Sequence, residues 1–285
     1  MTSMSWAEGK PIKGVLLDIS GVLRDGHEAI AGSVDAFHKL MKSGLEVRLV
    51  TNESQVTRQG SSDTLQSLGY QGVLLENIFA PAPLLAKELL KHGHRPHLLV
   101  HPKVKPEFDA VIDQISQSEG ETDPTCVVIA DAAEYFTYES MNTAFRILLS
   151  MQQKGLDPKL FTLGRGRYYK ENGLLWMDVG PFVTALEYGL DIKAELFGKP
   201  SPVFFHTALS SLSSDGEISA DEVVMIGDDI IGDVQGAMDA GMRGVLVRTG
   251  KFRPEDENHP TIKPSGIVDN LASAVDMILR GCNTN

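Results

Sequence analysis

The chain has 285 residues and a formal net charge of −12, with ordinary apolar content. That length is long for one compact domain and comfortable for two of roughly 100–150 residues each. The acidic balance argues against nucleic acid or an anionic membrane as the main partner, since both need basic patches, yet it leaves room for a small anionic substrate in a local pocket.

In chain order, MTSMSWAEGKPIKG lacks the apolar segment of a secretory signal. GVLLDI does not alternate and reads as a strand buried on both faces. SVDAFHKLMKSG follows as a helix, with Val34, Phe37, Leu40 and Met41 on one face and Gly44 as its stop. EVRLVTN is the next strand. SQVTRQGSSDTLQSLG reads as a helix ending at Gly69, and PAPLLAKELLKHG as another, opened by prolines and closed at Gly93. PHLLV and CVVIAD are strands. TYESMNTAFRILLSMQQKG is a long amphipathic helix. LFTLG and LLWMDVG flank a polar turn, RGRYYKENG. AELFGKP leads into a helix at SPVFFHTALSSL, EVVMIGDD into one at DVQGAMDAGM, and GVLVRTG into the closing helix NLASAVDMILR. Strands alternating with helices imply an α/β fold with a Rossmann-like parallel sheet. Cys126 lies in an apolar run and Cys282 in the tail, with neither disulfide nor zinc spacing, so both read as free thiols. No apolar run approaches the ~18 residues of a membrane span, and a soluble cytoplasmic protein, also present in the nucleus, is expected.

In parallel sheets ligands bind beyond the carboxyl ends of the strands. There the chain offers Asp18, Thr51 with Asn52, Lys199, and Asp228 with Asp229. Two carboxylates from different strands, with no His or Cys beside them, suit a hard cation such as Mg²⁺. Asp18 and Asp228 are the expected ligands, with the Ser20 backbone carbonyl as a third. Thr51 and Asn52 precede a predicted helix whose N-terminus would favour an anion, and Lys199 is a point charge for a phosphoryl oxygen. Asp233, in the first turn of the next helix, would orient the site from behind. Each motif alone has an ordinary reading, since strand-end aspartates often cap helices. Their value lies in sharing one rim.

LLDISGV, LVTNES, GKPSP and MIGDDIIGD resemble the four ordered motifs of the haloacid dehalogenase superfamily of phosphatases. The resemblance implies that Asp18 is the nucleophile, forming an aspartyl-phosphate, and also a Mg²⁺ ligand. It implies that the Ser20 carbonyl and Asp228 complete the protein's share of the metal shell. Thr51 and Asn52 would hold the phosphoryl group, Lys199 would neutralise charge, and Asp229 and Asp233 would support the acidic loop. Thr51 and Lys199 stand 148 residues apart, more than a plain strand–helix succession needs. The surplus implies an α/β cap inserted at 94–191, with the core in 1–93 and 192–285. The cap stretches TCVVIADAAEYFTYESMN, GRGRYYKE and DVGP, with VRTGKFRP, resemble one branch of the family. That branch is expected to use Mg²⁺, to hydrolyse pyrophosphate and the P–N bonds of phosphohistidine and phospholysine, and to form homodimers.

Most relatives with phosphatase activity carry a second Asp two residues after the nucleophile, to protonate the leaving group. Here that position is Ser20, a poor proton donor near neutral pH. An alkoxide leaving group would feel the loss fully. A phosphate, or a nitrogen that is already protonated, would feel it less. The expectation is therefore a bias toward activated phosphoryl donors. A phosphomonoesterase of a small metabolite, or a non-catalytic phosphate- or protein-binding module, stays open beside it. Arg167 in GRGRYYK is either a basic group for an anionic substrate or part of a solvated turn. His92, His94 and His97 read as a helix terminus rather than a metal site.

Overall fold

The computed structural model describes residues 6–7, 9–117, 123–171, 174–213 and 217–282. Two compact units emerge from the contacts. One comprises residues 1–51, 62–79 and 199–285, and the other residues 52–61 and 80–198.

The first unit is built on six parallel strands in the order Gly266–Val268, Arg243–Val247, Val223–Gly227, Gly14–Asp18, Glu46–Val50, Ile78–Phe79. Gly14–Asp18 is central and buried at every position. This is what its unbroken apolar run demands, since both faces of a parallel sheet are covered. Leu17, Val47, Leu49, Val224 and Val245 share one cluster with Phe37 and Leu40 of the helix Ser33–Met41 and with Val275 and Ile278 of Leu271–Cys282. Burying each such side chain is worth about 1.5–3 kcal/mol. The register sets Asp18 beside Val50 and Leu17 beside Ile226, so Asp18, Thr51 and Asp228 leave the sheet at one edge.

The second unit has its own parallel sheet, in the order Glu195–Leu196, Leu160–Thr162, Cys126–Ile129, Pro96–Leu99. The helix Pro81–His92 packs here, through Leu85 and Leu89 against Val104 and Phe108. Tyr138–Gln153 covers the sheet with Ala144 and Leu148. Its start is fixed by a reciprocal cap, in which the Thr137 hydroxyl accepts from the Ser140 N–H at 3.0 Å and the Ser140 hydroxyl from the Thr137 N–H at 2.9 Å.

Three local readings need correction. The helix expected from Ser54 begins only at Arg58, because Thr57 caps it, its hydroxyl accepting from the Gly60 N–H at 3.2 Å. The expected polar turn RGRYYKENG contains a strand, Tyr168–Glu171, antiparallel to Leu174–Met177. The β-propensity of its two tyrosines outweighs the polar flanks. The strand in AELFG belongs to the second sheet, where Leu196 pairs with Thr162 and Phe197 packs edge-on to Phe161. Lys199 thus arrives from a loop and not from the end of a core strand.

Candidate active site

The centre of the first unit's rim is a cluster of three buried aspartates. Asp18, Asp228 and Asp233 each offer a carboxylate oxygen, and these atoms lie within 4.8 Å of one another. Asp18 is 6% exposed and Asp228 2%. Burying carboxylates costs several kcal/mol per ion unless each is compensated. The compensation at hand is Lys199, whose Nζ lies 2.6 Å from Asp18 Oδ1 and 2.6 Å from Asp233 Oδ1, and 3.2 Å from the Val50 carbonyl. Burial alone would lower the Lys199 pKa, but Asp18 and Asp233 together hold it above the ordinary lysine value.

One ammonium does not balance three carboxylates. Burial, with the charges of Asp18 and Asp233 added, pushes Asp228 well above the usual carboxylate range. Burial likewise drives Asp233 up to about 7 against the pull of Lys199. The ionised cluster with Lys199 carries two surplus negative charges, the charge of one divalent cation. Asp228 Oδ1 is buried with no hydrogen-bond partner. An orphaned carboxylate oxygen among hard oxygen donors, with neither imidazole nor thiolate in the set, fits Mg²⁺ chemistry.

The other oxygen of Asp228 is spoken for, since Oδ2 accepts from the Lys251 backbone N–H at 2.6 Å. Two glycines make room for it. A Cβ on Gly21 or on Gly250 would stand 2.0 Å from Asp228 Oδ2, and both have positive φ, 88° and 62°. The Thr249 hydroxyl donates to the Gly21 carbonyl, tying this loop to the turn after Ser20. That turn is fixed from its other end, where the Ser33 hydroxyl donates to the Leu23 carbonyl at 3.1 Å and the buried Tyr70 hydroxyl donates to the same oxygen. The loop Thr249–Lys251 lies within VRTGKFRP, a stretch that carries the family resemblance but to which the sequence assigns no role. Its signal was positional, because Arg243–Val247 pairs with Val223–Gly227 and so ends on the same rim.

Of the residues singled out beforehand, Asp18, Lys199, Asp228 and Asp233 are brought together. Asp233 stands directly on Lys199, closer to the centre than a supporting role implies. Thr51 is buried beside them, its N–H donating to the Phe79 carbonyl at 3.0 Å. Asn52 lies where a Cβ on Gly198 would meet its Oδ1 at 2.7 Å. Ser20 enters the turn that runs to Arg24, whose carbonyl accepts from the Gly21 N–H at 2.7 Å. Asp229 turns to the π-helical segment Ile230–Gln235 and caps it, Oδ1 accepting from Ile231 N–H at 3.0 Å and Gly232 N–H at 2.8 Å. The helix N-terminus expected to hold an anion near Thr51 is instead engaged by protein, the Arg58 N–H donating to Glu107 Oε1 at 2.7 Å. Arg167 lies in the second unit, exposed, just before the hairpin. His92 pairs with Glu88 at 2.7 Å, and no histidine joins a metal-type cluster among the described residues. Among those residues no helix is long and apolar enough to cross a membrane.

A family model described as haloacid dehalogenase-like hydrolase matches residues 15–112, and a second, described as HAD-hydrolase-like, matches residues 196–274. The chain belongs to the haloacid dehalogenase-like hydrolases, a family of enzymes. Within it the full-length similarity is to phosphatases. The chain is 52% identical over 273 residues to phospholysine phosphohistidine inorganic pyrophosphate phosphatase of Bos taurus, covering 94% of this chain and 95% of that protein. It is 51% identical to the Homo sapiens protein of that name over the same length and shares. It is also 37% identical over 274 residues to haloacid dehalogenase-like hydrolase domain-containing protein 2 of Bos taurus, covering 96% and 98% of the two chains. The crystal structure of 4-nitrophenylphosphatase from Thermotoga maritima shares the fold, with a TM-score of 0.79 at 23% identity, covering 94% of this chain and 97% of that one.

Proposed function

We propose that this chain is a Mg²⁺-dependent phosphatase acting through an aspartyl-phosphate on pyrophosphate and on P–N substrates, phosphohistidine and phospholysine. The observation that carries the reading is the cluster's surplus of two negative charges together with the orphaned Asp228 Oδ1. Asp18, Asp228 and the Ser20 carbonyl would hold the cation. Bound there, Mg²⁺ would neutralise charge on the phosphoryl oxygens.

The free oxygen of Asp18 attacks phosphorus as the P–O bond to the leaving phosphate, or the P–N bond to an already protonated nitrogen, breaks and its electron pair departs with the leaving group. Lys199 holds the other oxygen and keeps the carboxylate oriented and compensated. Thr51 and Asn52 donate to the phosphoryl group. In the second step water attacks the aspartyl-phosphate, phosphate leaves with the water's oxygen and protons, and the Asp18 carboxylate is regenerated. Ser20 supplies no proton, which disfavours alkoxide leaving groups by about 10²–10⁴-fold. Residues 94–191 are read as the family's inserted cap, and Arg167 within them as a substrate contact.

Phosphate release from pyrophosphate, phosphoramidate, phosphohistidine, phospholysine and several sugar phosphates tests this. Turnover should require Mg²⁺, favour the first four, and vanish in Asp18→Asn, while Arg167→Ala should raise KM for pyrophosphate more than it lowers kcat. Sugar phosphates turned over as well as pyrophosphate would sink the Ser20 argument. No Asp18-dependent release from any of them would leave a binding module.

A further inference from the structure

We infer that the Lys251 ammonium is a specificity-determining group, holding the leaving phosphate when the substrate is pyrophosphate. The inference rests on the phosphatase reading above. Lys251 follows Gly250 on the loop that clamps Asp228, and its backbone N–H is the donor to Asp228 Oδ2 at 2.6 Å. Its side chain is therefore anchored at the root, next to the carboxylate that would hold the metal. The ammonium lies 3.6 Å from Asp229 Oδ2, a long contact, and the side chain is 50% exposed. Asp229 spends its other oxygen on two backbone N–H groups.

Lys199 stands in contrast. It is 4% exposed and gripped at 2.6 Å by two carboxylates, so its charge is consumed within the cluster. Lys251 is half exposed at the same rim, within electrostatic reach of Asp18, Asp228, Asp229 and Asp233. A cation so placed meets an anion arriving at Asp18.

Pyrophosphate is the substrate that needs it. With the monoprotonated trianion, the Asp18 oxygen bonds to one phosphorus. The bridging oxygen leaves with the electron pair of the broken P–O bond, and the departing group is HPO₄²⁻, carrying the substrate's own proton. Total charge is unchanged, and no general acid is called on, which suits a site with Ser20 at that position. The negative charge that grows on the departing phosphate is what Lys251 faces. A P–N substrate releases an amine or an imidazole, which an ammonium does not stabilise. Lys251 therefore discriminates between two classes of activated donor that Ser20 alone treats alike.

The test compares Lys251→Met and Lys251→Arg with the wild type, all of which keep the backbone N–H. The Met variant should lose about 10- to 100-fold in kcat/KM for pyrophosphate relative to its change for phosphoramidate, and the Arg variant should recover most of that ratio. Binding of methylenediphosphonate, an uncleavable pyrophosphate analogue, should weaken relative to orthophosphate by a similar ratio in the Met variant, measured by calorimetry with Mg²⁺. Equal losses on both substrates, or no loss on either, would overturn the assignment. If the wild type cleaves neither substrate, the phosphatase reading fails, and the binding ratio alone decides the role of Lys251.

Discussion

For Asp228 to serve as the proposed Mg²⁺ ligand one of its oxygens must be held still, and that depends on two residues with no side chain. Gly250 has positive φ, and a Cβ there would press on Asp228 Oδ2 at 2.0 Å and on Gly21 Cα at 2.5 Å. Neither neighbour has room to give, since one is backbone and the other is pinned by the Lys251 N–H. Gly250→Ala should therefore displace the carboxylate and weaken Mg²⁺ affinity by about 10–100-fold, the usual cost of disturbing a ligand's support. A ligand that binds only the folded state raises its stability, so Mg²⁺ should raise the Tm of the wild type and barely that of Gly250→Ala. Equal Tm gains in calorimetry would show that Gly250 is not needed by the metal. At this scale the sequence was legible where chemistry resides in side chains. Asp18, Lys199 and Asp228 announce themselves by type and by position after apolar runs. The supports were not legible. A backbone N–H donor at Lys251 has no signature, and VRTGKFRP carries a resemblance without saying what its backbone holds.

Among the elements, the helix Val179–Leu190 shows how one buried carboxylate shapes a connection. Glu187 is 4% exposed on this helix. It receives Arg165 through two bonds, at 2.9 and 2.7 Å, and the Ala194 N–H at 2.9 Å. It thus ties the helix to the loops that leave Leu160–Thr162 and enter Glu195–Leu196. Burial by itself would raise the Glu187 pKa, but Arg165 and the Ala194 N–H outweigh it and hold the group below its usual 4.5. A carboxylate with a depressed folded pKa stabilises fully above its unfolded pKa, and that contribution is lost as pH falls through the folded value. Glu187→Gln should cost about 1–3 kcal/mol at pH 7. The gap in Tm between variant and wild type should narrow as pH falls from the usual 4.5 through the lower folded value. A gap that is constant across an acid titration would assign the effect to packing and not to charge. Long periodic helices such as Tyr138–Gln153 were readable because a sixteen-residue pattern repeats its apolar face several times. Ile78–Phe79 and Glu195–Leu196 were not correctly readable, because two residues carry no period, and only tertiary pairing decides which sheet they join.

For the molecule as a whole, the open question in the sequence is assembly, and the hairpin Tyr168–Glu171 with Leu174–Met177 bears on it. Successive residues of a strand point to opposite faces. Leu174, Leu175, Trp176 and Met177 are all between 49% and 66% exposed, so among the described residues neither face of this strand is fully covered. A two-stranded hairpin left to itself is marginal in water, and four consecutive exposed apolar residues form a patch that soluble chains normally cover. A second copy of the chain is the partner expected from the family resemblance, and a two-fold axis would let the same strand cover its own image. With a net charge of −12 on each chain, association works against long-range repulsion, so added salt should favour it. Sedimentation equilibrium should give the mass of two chains at micromolar concentration, with a tighter dimer at 0.3 M than at 0.05 M salt. Trp176→Glu should give one chain with an unchanged far-ultraviolet circular dichroism spectrum. The chain holds two tryptophans, Trp6 and Trp176, so a Trp6→Phe background leaves Trp176 as the reporter. Its emission should shift to the red on dilution through the dissociation range. A wild type that sediments as one chain at every concentration, with Trp176 emission independent of dilution, would show that the hairpin is not the surface by which this chain self-associates.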